Sequence, residues 1–209
     1  MNNFQKTINN FFQIKKYFKA KKNNKINILT NLKNSRIIIK GNQNSLLIKK
    51  SDLKRLKVGI YGNNNTLEID ENCMLRDTNI IIQGHNLKVC IKNNCEIGGA
   101  TIVCAGKNNF IQIDEYCLIA SNIEIRNNDG HSIFENEKLI NLSSNIHISN
   151  NVWICQNAKI LKGANIGSGS VIALNALVSS GTYENNVILA GIPAKIIKRN
   201  ITWSKDLPD

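Results

Sequence analysis

Proline is scarce in this chain, with two in 209 residues. Because proline cannot donate a hydrogen bond to a neighbouring strand, its scarcity suits uninterrupted stacked strands. No apolar run approaches the roughly 18 residues that a membrane-spanning helix needs. The N-terminus also lacks the basic-then-apolar order and small-residue cleavage site of a secretory signal. We therefore expect one soluble, cytoplasmic protein.

Histidine is scarce too, and the cysteines do not form pairs that resemble a zinc motif. A three-histidine metal site would need all three on neighbouring faces, which their spacing does not favour, so we expect no metal. Cys73, Cys95 and Cys117 recur every 22 residues. They should stack about 4.8 Å apart, a separation that permits a disulfide. In a reducing cytoplasm we prefer to interpret them as small buried hydrophobes.

Aliphatic residues recur every six positions in the C-terminal half, and a small or β-branched residue follows each isoleucine by four. Neither a helix nor simple alternation has this period, whereas strands that turn a corner every six residues do. Three such strands make one triangular coil, so the pattern predicts an all-β fold, a parallel β-helix. The aliphatic set is Ile148, Ile154, Ile160, Ile166, Ile172 and Val178, and the small set is Val152, Ala158, Ala164, Ser170 and Ala176.

The N-terminal half repeats with a longer period. Gly41, Gly62, Gly84 and Gly106 are spaced 21, 22 and 22 residues apart and open Asn-rich turn sequences. Each period fits one coil of 18 residues plus a corner loop of about four. We predict an N-terminal segment over 1–25, the β-helix over 26–183, and a short C-terminal tail or helix over 184–209.

The net charge of +12 has two interpretations. It is either a Lys/Asn-rich bias on solvated faces or a sign of an anionic partner. Nucleic acid is not expected, because the basic residues do not interleave with an aromatic stacking platform. The first segment resembles a short basic amphipathic helix that either caps the first coil or contacts a membrane peripherally. Its residues are Phe4, Ile8, Phe11, Phe12, Lys15, Lys16, Lys19, Lys21 and Lys22.

The repeat breaks over residues 126–147. Continuing the six-residue count would place His131 in an inward slot, but the turn-forming run 127–130 before it indicates a loop that leaves the coil. Long excursions from a rigid solenoid are usually functional, so His131 is the candidate general base. His85 is interpreted as a surface turn residue, and His147 as an outward strand residue.

Several segments resemble the bacterial hexapeptide-repeat acetyltransferases: the hexads, NNDGHSIF, ISNNVWICQNAKILKGANIGSGSVI and AGIPAKIIK. The runs EIRNNDGHSIF and NNVWICQNAKILKG, with ITW near Trp203, are most similar to capsular polysialic acid O-acetyltransferases. The resemblance implies a left-handed β-helix with a protruding loop. It further implies acetyl-CoA as the donor and a homotrimer with active sites between subunits.

The resemblance also implies roles for single residues. His131 matches the catalytic histidine, with Asp129 two positions before it, and Ser132 stands where the family has proline. Trp153 matches the tryptophan at the acetyl end of the cofactor site. The other implied cofactor contacts are Gln156, Leu174, Ser179, Lys195 and Lys198, the two lysines at the nucleotide end.

Together these features predict an acetyl-CoA-dependent O-acetyltransferase that uses His131 for direct transfer without an acetyl-enzyme. The expected acceptor is a hydroxyl of a bacterial surface polysaccharide, such as a capsule or lipooligosaccharide containing sialic acid. A small free sugar or oligosaccharide is the alternative acceptor. A non-catalytic β-helix would instead show a regular outward ladder and no interrupting histidine loop.

Overall fold

The computed structural model describes residues 18–19 and 23–207. The predicted N-terminal amphipathic helix therefore lies almost entirely outside the described residues. Within the described residues the chain forms strands and no helix, and none of its segments could cross a membrane as a helix.

The strands are short and follow one another along the whole described chain. In chain order they are β1 (Phe18–Lys19), β2 (Lys25–Ile28), β3 (Leu32–Lys33), β4 (Arg36–Lys40), β5 (Ser45–Ile48), β6 (Asp52–Lys54), β7 (Lys57–Asn63), β8 (Thr66–Ile69), β9 (Met74–Arg76), β10 (Asn79–His85), β11 (Lys88–Ile91), β12 (Glu96–Ile97), β13 (Ala100–Lys107), β14 (Phe110–Ile113), β15 (Leu118–Ile119), β16 (Ile123–Arg126), β17 (Phe134–Glu135), β18 (Lys138–Leu139), β19 (Ile146–Ile148), β20 (Trp153–Ile154), β21 (Lys159–Leu161), β22 (Ala164–Ile166), β23 (Val171–Ile172), β24 (Leu177–Val178), β25 (Gly181–Tyr183), β26 (Ile188–Gly191) and β27 (Ala194–Lys198).

Apart from the antiparallel pair β17–β18, these strands stack into three sheets, which are parallel except for β27. Sheet A has the order β1-β4-β7-β10-β13-β16-β21-β24, and sheet B has the order β2-β5-β8-β11-β14-β19-β22-β25. Sheet C contains β3, β6, β9, β12, β15, β20, β23 and β26, and β27 pairs with β26 in the antiparallel direction. The chain passes from sheet A to B to C and back in every coil, so the predicted parallel β-solenoid is confirmed.

The core runs as a column along the inside of the prism. Ile148, Ile154, Ile160, Ile166 and Ile172 are all fully buried. The small residues that follow them, such as Ala158 and Ala176, are equally buried at the corners. Every six residues the chain thus passes from one sheet to the next, as predicted. We call the three edges of the prism the AB, BC and CA corners, after the sheets that they join.

Glycines form a column at the AB corner. Gly62, Gly84 and Gly106 are in register on adjacent strands and have φ values of 120°, 140° and 102°. A Cβ atom on Gly62 would lie 1.9 Å from the carbonyl oxygen of Gly84. Only glycine permits this backbone conformation and this close stacking of successive coils.

The recurring cysteines lie at the BC corner and are buried. The Cys73 thiol donates to the Lys92 carbonyl oxygen at 3.0 Å, and the Cys95 thiol donates to the Asp114 carbonyl oxygen at 3.0 Å. All six cysteines of the chain are free thiols. Cys73, Cys95 and Cys117 therefore serve as small core residues, as the sequence indicated.

The C-terminal segment closes the stack and then returns along it. β27 folds back on β26, and the tail runs back past several coils. The Ile201 amide donates to the Asn186 carbonyl oxygen at 3.0 Å, and Lys205 pairs with Glu96 of β12 at 2.5 Å. The segment 184–209, predicted as a tail or helix, thus contains two strands, β26 of the solenoid and β27, followed by an extended tail as far as residue 207.

Candidate active site

An excursion of the chain replaces the glycine-asparagine turn of the AB corner between β16 and β19. Asn127 is fully buried at its start, where the side chain binds the backbone of the coil below. The Ala105 amide donates to Asn127 Oδ1 at 2.7 Å, and Asn127 Nδ2 donates to the Ala105 carbonyl oxygen at 3.0 Å. The side-chain amide of Asn127 thus extends the hydrogen bonding of sheet A by one residue beyond the end of β16. The chain then leaves the prism and forms the exposed hairpin β17–β18.

His131 lies in the first turn of this excursion and is exposed. It does not occupy the inward slot that the six-residue count would give it. Its backbone carbonyl oxygen accepts a hydrogen bond, but its imidazole has no hydrogen-bond partner among residues 23–207. The ring is therefore available to a substrate.

Asn141 holds the backbone around His131. Its Nδ2 donates to the His131 carbonyl oxygen at 2.8 Å and to Asp129 Oδ2 at 3.0 Å. Its Oδ1 accepts from the Ile133 amide at 2.7 Å. One amide side chain thus joins the two arms of the excursion and fixes the backbone on both sides of His131.

Asp129 anchors the same turn to the body of the solenoid. Its Oδ2 accepts from Lys162, which lies at the AB corner of the next coil. The hydrogen bond from Lys162 lowers the pKa of the Asp129 carboxyl. Lys162 and Asn141 both bind Oδ2, and no hydrogen bond joins Asp129 to the His131 ring among the described residues, so Asp129 positions the loop.

Removing the Asn141 clamp should impair catalysis without unfolding the solenoid. Asn141→Ala loses three hydrogen bonds in an exposed loop, so we expect kcat to fall about tenfold through misplacement of His131. The unfolding midpoint and the KM for the acetyl donor should change little. Steady-state kinetics and a thermal melt measure these effects. Glu135→Ala in the hairpin is the matched control, and an Asn141→Ala enzyme with wild-type kcat would rule out the clamp.

Trp153 projects outward from sheet C on β20 and is half-buried. Its ring lies 5.8 Å from that of Trp203 at an interplanar angle of 41°. Trp203 Nε1 donates to the Asn151 carbonyl oxygen at 2.9 Å, which holds the C-terminal tail beside Trp153. In the described part of the chain the Trp153 indole N–H has no acceptor, so it can serve a ligand.

Gln156 and Leu174 lie on adjacent coils at the CA corner. The Asn175 amide donates to the Gln156 carbonyl oxygen at 3.1 Å, which joins the two turns. Leu174 is 58% exposed, and Ile192 continues the same corner with 73% exposure. Lys195 and Lys198 are exposed on β27, which runs back from this corner along the edge of sheet C. Four of the predicted cofactor residues therefore gather near one end of the solenoid.

Ser179 lies elsewhere, at the AB corner one coil above Lys162. Its carbonyl oxygen accepts a hydrogen bond from the Tyr183 hydroxyl at 3.0 Å. The predicted site residues thus fall into two groups on a single chain. His131 and Ser179 belong to the AB corner, whereas Trp153, Gln156 and Leu174 belong to sheet C and the CA corner.

A second histidine has the partners that His131 lacks. His147 on β19 faces outward, as predicted, and its Nε2 lies 2.7 Å from Asp114 Oδ2. Asp114 Oδ1 in turn accepts from Gln112 Nε2 at 2.7 Å. Sequence reasoning missed this pair, which makes His147 a competing base candidate on sheet B. His85 is exposed at the end of β10, as a surface residue should be.

Two solved structures that resemble this chain over most of its length are acetyltransferases. The polySia specific acetyltransferase NeuO is 32% identical with a TM-score of 0.80, over 88% of this chain and 79% of that one. The polysialic acid O-acetyltransferase OatWY is 28% identical with a TM-score of 0.81, over 89% of this chain and 90% of that one. No protein-family model and no curated protein matches the chain.

A β-solenoid built from hexads, with a histidine loop at one corner, defines an acyltransferase of the hexapeptide-repeat class. The chain belongs to the family of hexapeptide-repeat O-acetyltransferases that includes these two enzymes.

Proposed function

We propose that the protein transfers the acetyl group of acetyl-CoA to a hydroxyl of an anionic bacterial surface polysaccharide. The similarity at 32% identity to an acetyltransferase specific for polysialic acid carries this proposal. The net charge of +12 suits an anionic acceptor.

In this proposal His131 removes the proton from the acceptor hydroxyl as that oxygen attacks the thioester carbonyl. A neutral imidazole within hydrogen-bond reach does this at neutral pH. The Trp153 indole N–H, which has no acceptor in the described chain, stabilises the oxyanion that forms on the carbonyl. The intermediate then expels the coenzyme A thiolate, and no acetyl-enzyme is needed.

Cys155, next to this site in sequence, is a poor alternative nucleophile. Burial raises the pKa of the Cys155 thiol, so less thiolate is present at neutral pH. Direct transfer between two bound substrates is therefore favoured over a two-step scheme through this cysteine.

The donor would lie along the CA corner. Gln156 and Leu174 line the part of the corner nearest Trp153, and Lys195 and Lys198 carry the positive charge at its end. Neither lysine has an ion-pair partner in the described chain, which leaves both ammonium groups for the phosphates of coenzyme A.

The active enzyme would be a homotrimer. No contact within the described chain joins His131 to Trp153, because they lie on opposite sides of the prism. A three-fold ring that set the AB corner of one copy against sheet C and the CA corner of the next, at the coils that carry His131 and Trp153, would bring the two groups together and would close without free ends.

Acetyl transfer to a polymer and to its monomer, measured side by side, tests the acceptor. We expect acetyl-CoA-dependent release of coenzyme A with polysialic acid, and much slower release with free sialic acid at the same concentration of sugar residues. Faster transfer to the monomer would favour the small-sugar alternative. Transfer to neither compound would contradict sialic acid as the accepted sugar.

A further inference from the structure

The net positive charge of the chain comes from its first 60 residues. Residues 1–60 contain 15 Lys and Arg residues and one acidic residue, whereas residues 61–209 contain 12 basic and 14 acidic residues. Residues 61–209 therefore have a net charge of −2, and all of the excess lies in residues 1–60. Such an asymmetry is not a uniform bias of composition, since a bias would affect both halves.

Five of these cations form one cluster at the CA corner of the first coils, which we call the basic corner: Lys33, Arg36, Lys54, Arg55 and Lys57. All five are exposed. Lys33 is in register with Lys54 on sheet C, and Arg36 is in register with Lys57 on sheet A. Like charges are thus stacked directly over one another at about 4.8 Å between strands.

Few carboxylates neutralise the stacked cations of the basic corner. Lys33 pairs with Asp52 at 3.4 Å, and Arg55 pairs with Asp77, both in exposed positions. Arg36, Lys54 and Lys57 have no ion-pair partner among the described residues. Like charges directly opposite each other on neighbouring strands destabilise a sheet, so folding alone does not account for this arrangement. An anionic ligand would relieve the repulsion.

The basic corner continues into the candidate active site. Arg36 and Lys57 begin a register column on sheet A that passes through Asn79 and Thr101 to Glu124 and Lys159. A surface groove follows the upper part of this column. Its lower part is lined by Thr101, Asn122, Ile123, Glu124, Asn157 and Lys159, and its upper end, with Asn175, Leu177 and Ile192, belongs to the corner assigned to the donor. The Glu124 carboxylate in this groove is paired with Arg126 at 2.8 Å and Lys159 at 3.6 Å.

The side chains along this path change from neutral polar groups near the candidate site to cations farther from it. Side-chain amides and a hydroxyl near the candidate site can bind sugar hydroxyls, and the cations beyond them can bind carboxylates. Lys57 and Lys159 are four strands apart, or about 19 Å at the usual strand spacing. A single sugar cannot span this distance, but a polymer can.

We propose that the basic corner is a second binding site for the acceptor, which holds an anionic polysaccharide by a stretch several sugar residues away from the one that is acetylated. This proposal rests on the proposed function for the identity of the ligand. The site raises the affinity for long acceptors and leaves the chemical step unchanged.

Neutralising the three unpaired cations tests the proposal. For Arg36→Gln/Lys54→Gln/Lys57→Gln we expect the KM for polysialic acid to rise about tenfold at low salt and to depend less on salt. The kcat and the KM for a sialic acid dimer should stay unchanged. The unfolding midpoint should stay level or rise, because like-charge repulsion is removed.

The matched control is Lys25→Gln/Lys40→Gln/Lys50→Gln, which removes the same charge from other faces of the first coils. An equal rise in KM for the control would overturn the proposal, because total charge would then explain the effect. An unchanged KM for the basic-corner variant would overturn it too. In both cases transfer to the polymer itself would still support the proposed function.

Direct binding separates the two proposals further. Fluorescently labelled polysialic acid, titrated without acetyl-CoA, should bind the wild-type protein more tightly than the basic-corner variant. If it does so while no acetyl transfer occurs, the basic corner stands and the proposed function fails. If the substitutions abolish binding to phosphatidylserine–phosphatidylcholine vesicles but leave polysialic acid binding intact, the corner is a membrane contact and the proposal is wrong.

Discussion

His131→Ala should lower kcat by about a hundredfold or more, the usual contribution of a general base. The side chain is exposed and its ring binds nothing in the described chain, so its loss opens no cavity and breaks no bond. We therefore expect an unchanged unfolding midpoint and an unchanged KM for acetyl-CoA. Steady-state kinetics with a saturating acceptor measures the effect on kcat.

Two further histidine variants make this test decisive. His85→Ala removes an exposed ring at the end of β10, two coils from the excursion along the AB corner, and should retain wild-type kcat. His147→Ala removes the partner of Asp114 on sheet B and should also leave kcat within a few-fold of wild type. If His147→Ala abolishes transfer while His131→Ala does not, the His147–Asp114 pair is the base and the proposed mechanism is wrong.

The sequence predicted the solenoid well because one physical constraint repeats in every coil. Each coil must bury an aliphatic residue and fit a small one at its corner, so Ile148 to Ile172 show a period that neither helices nor flat sheets produce. The glycine column was equally predictable from the sequence. A corner residue with positive φ that lies in contact with the next coil must be glycine, as at Gly62 and its equivalents.

The details of the site were less predictable because they depend on register across the excursion. Asp114 and His147 are 33 residues apart and meet only because β14 pairs with β19. Asp129 and Lys162 meet in the same way across a coil. The excursion breaks the count of six, so the sequence shows no offset from which to predict these pairs. Asn141 resembles any polar loop residue until its three hydrogen bonds are seen.

The split between the two corners leads to a second prediction with a large effect. A chain with His131→Ala keeps an intact sheet C and CA corner, and a chain with Trp153→Ala keeps an intact histidine loop. Each homotrimer alone should retain about a tenth of wild-type activity or less. If neighbouring subunits share each site, a mixed trimer has one interface at which the intact histidine loop of one chain faces the intact sheet C and CA corner of the other.

Co-expression of the two variants with different affinity tags, followed by purification on both tags, yields only mixed trimers. Each has two chains of one kind and one of the other, so one of its three interfaces is fully intact and about a third of wild-type activity should return. Sedimentation equilibrium should give the mass of three chains for every preparation. If each chain contained a complete site, the mixture could not exceed the activity of the better variant alone. Activity that stays at or below a tenth, or a stable monomer, would therefore refute the shared site.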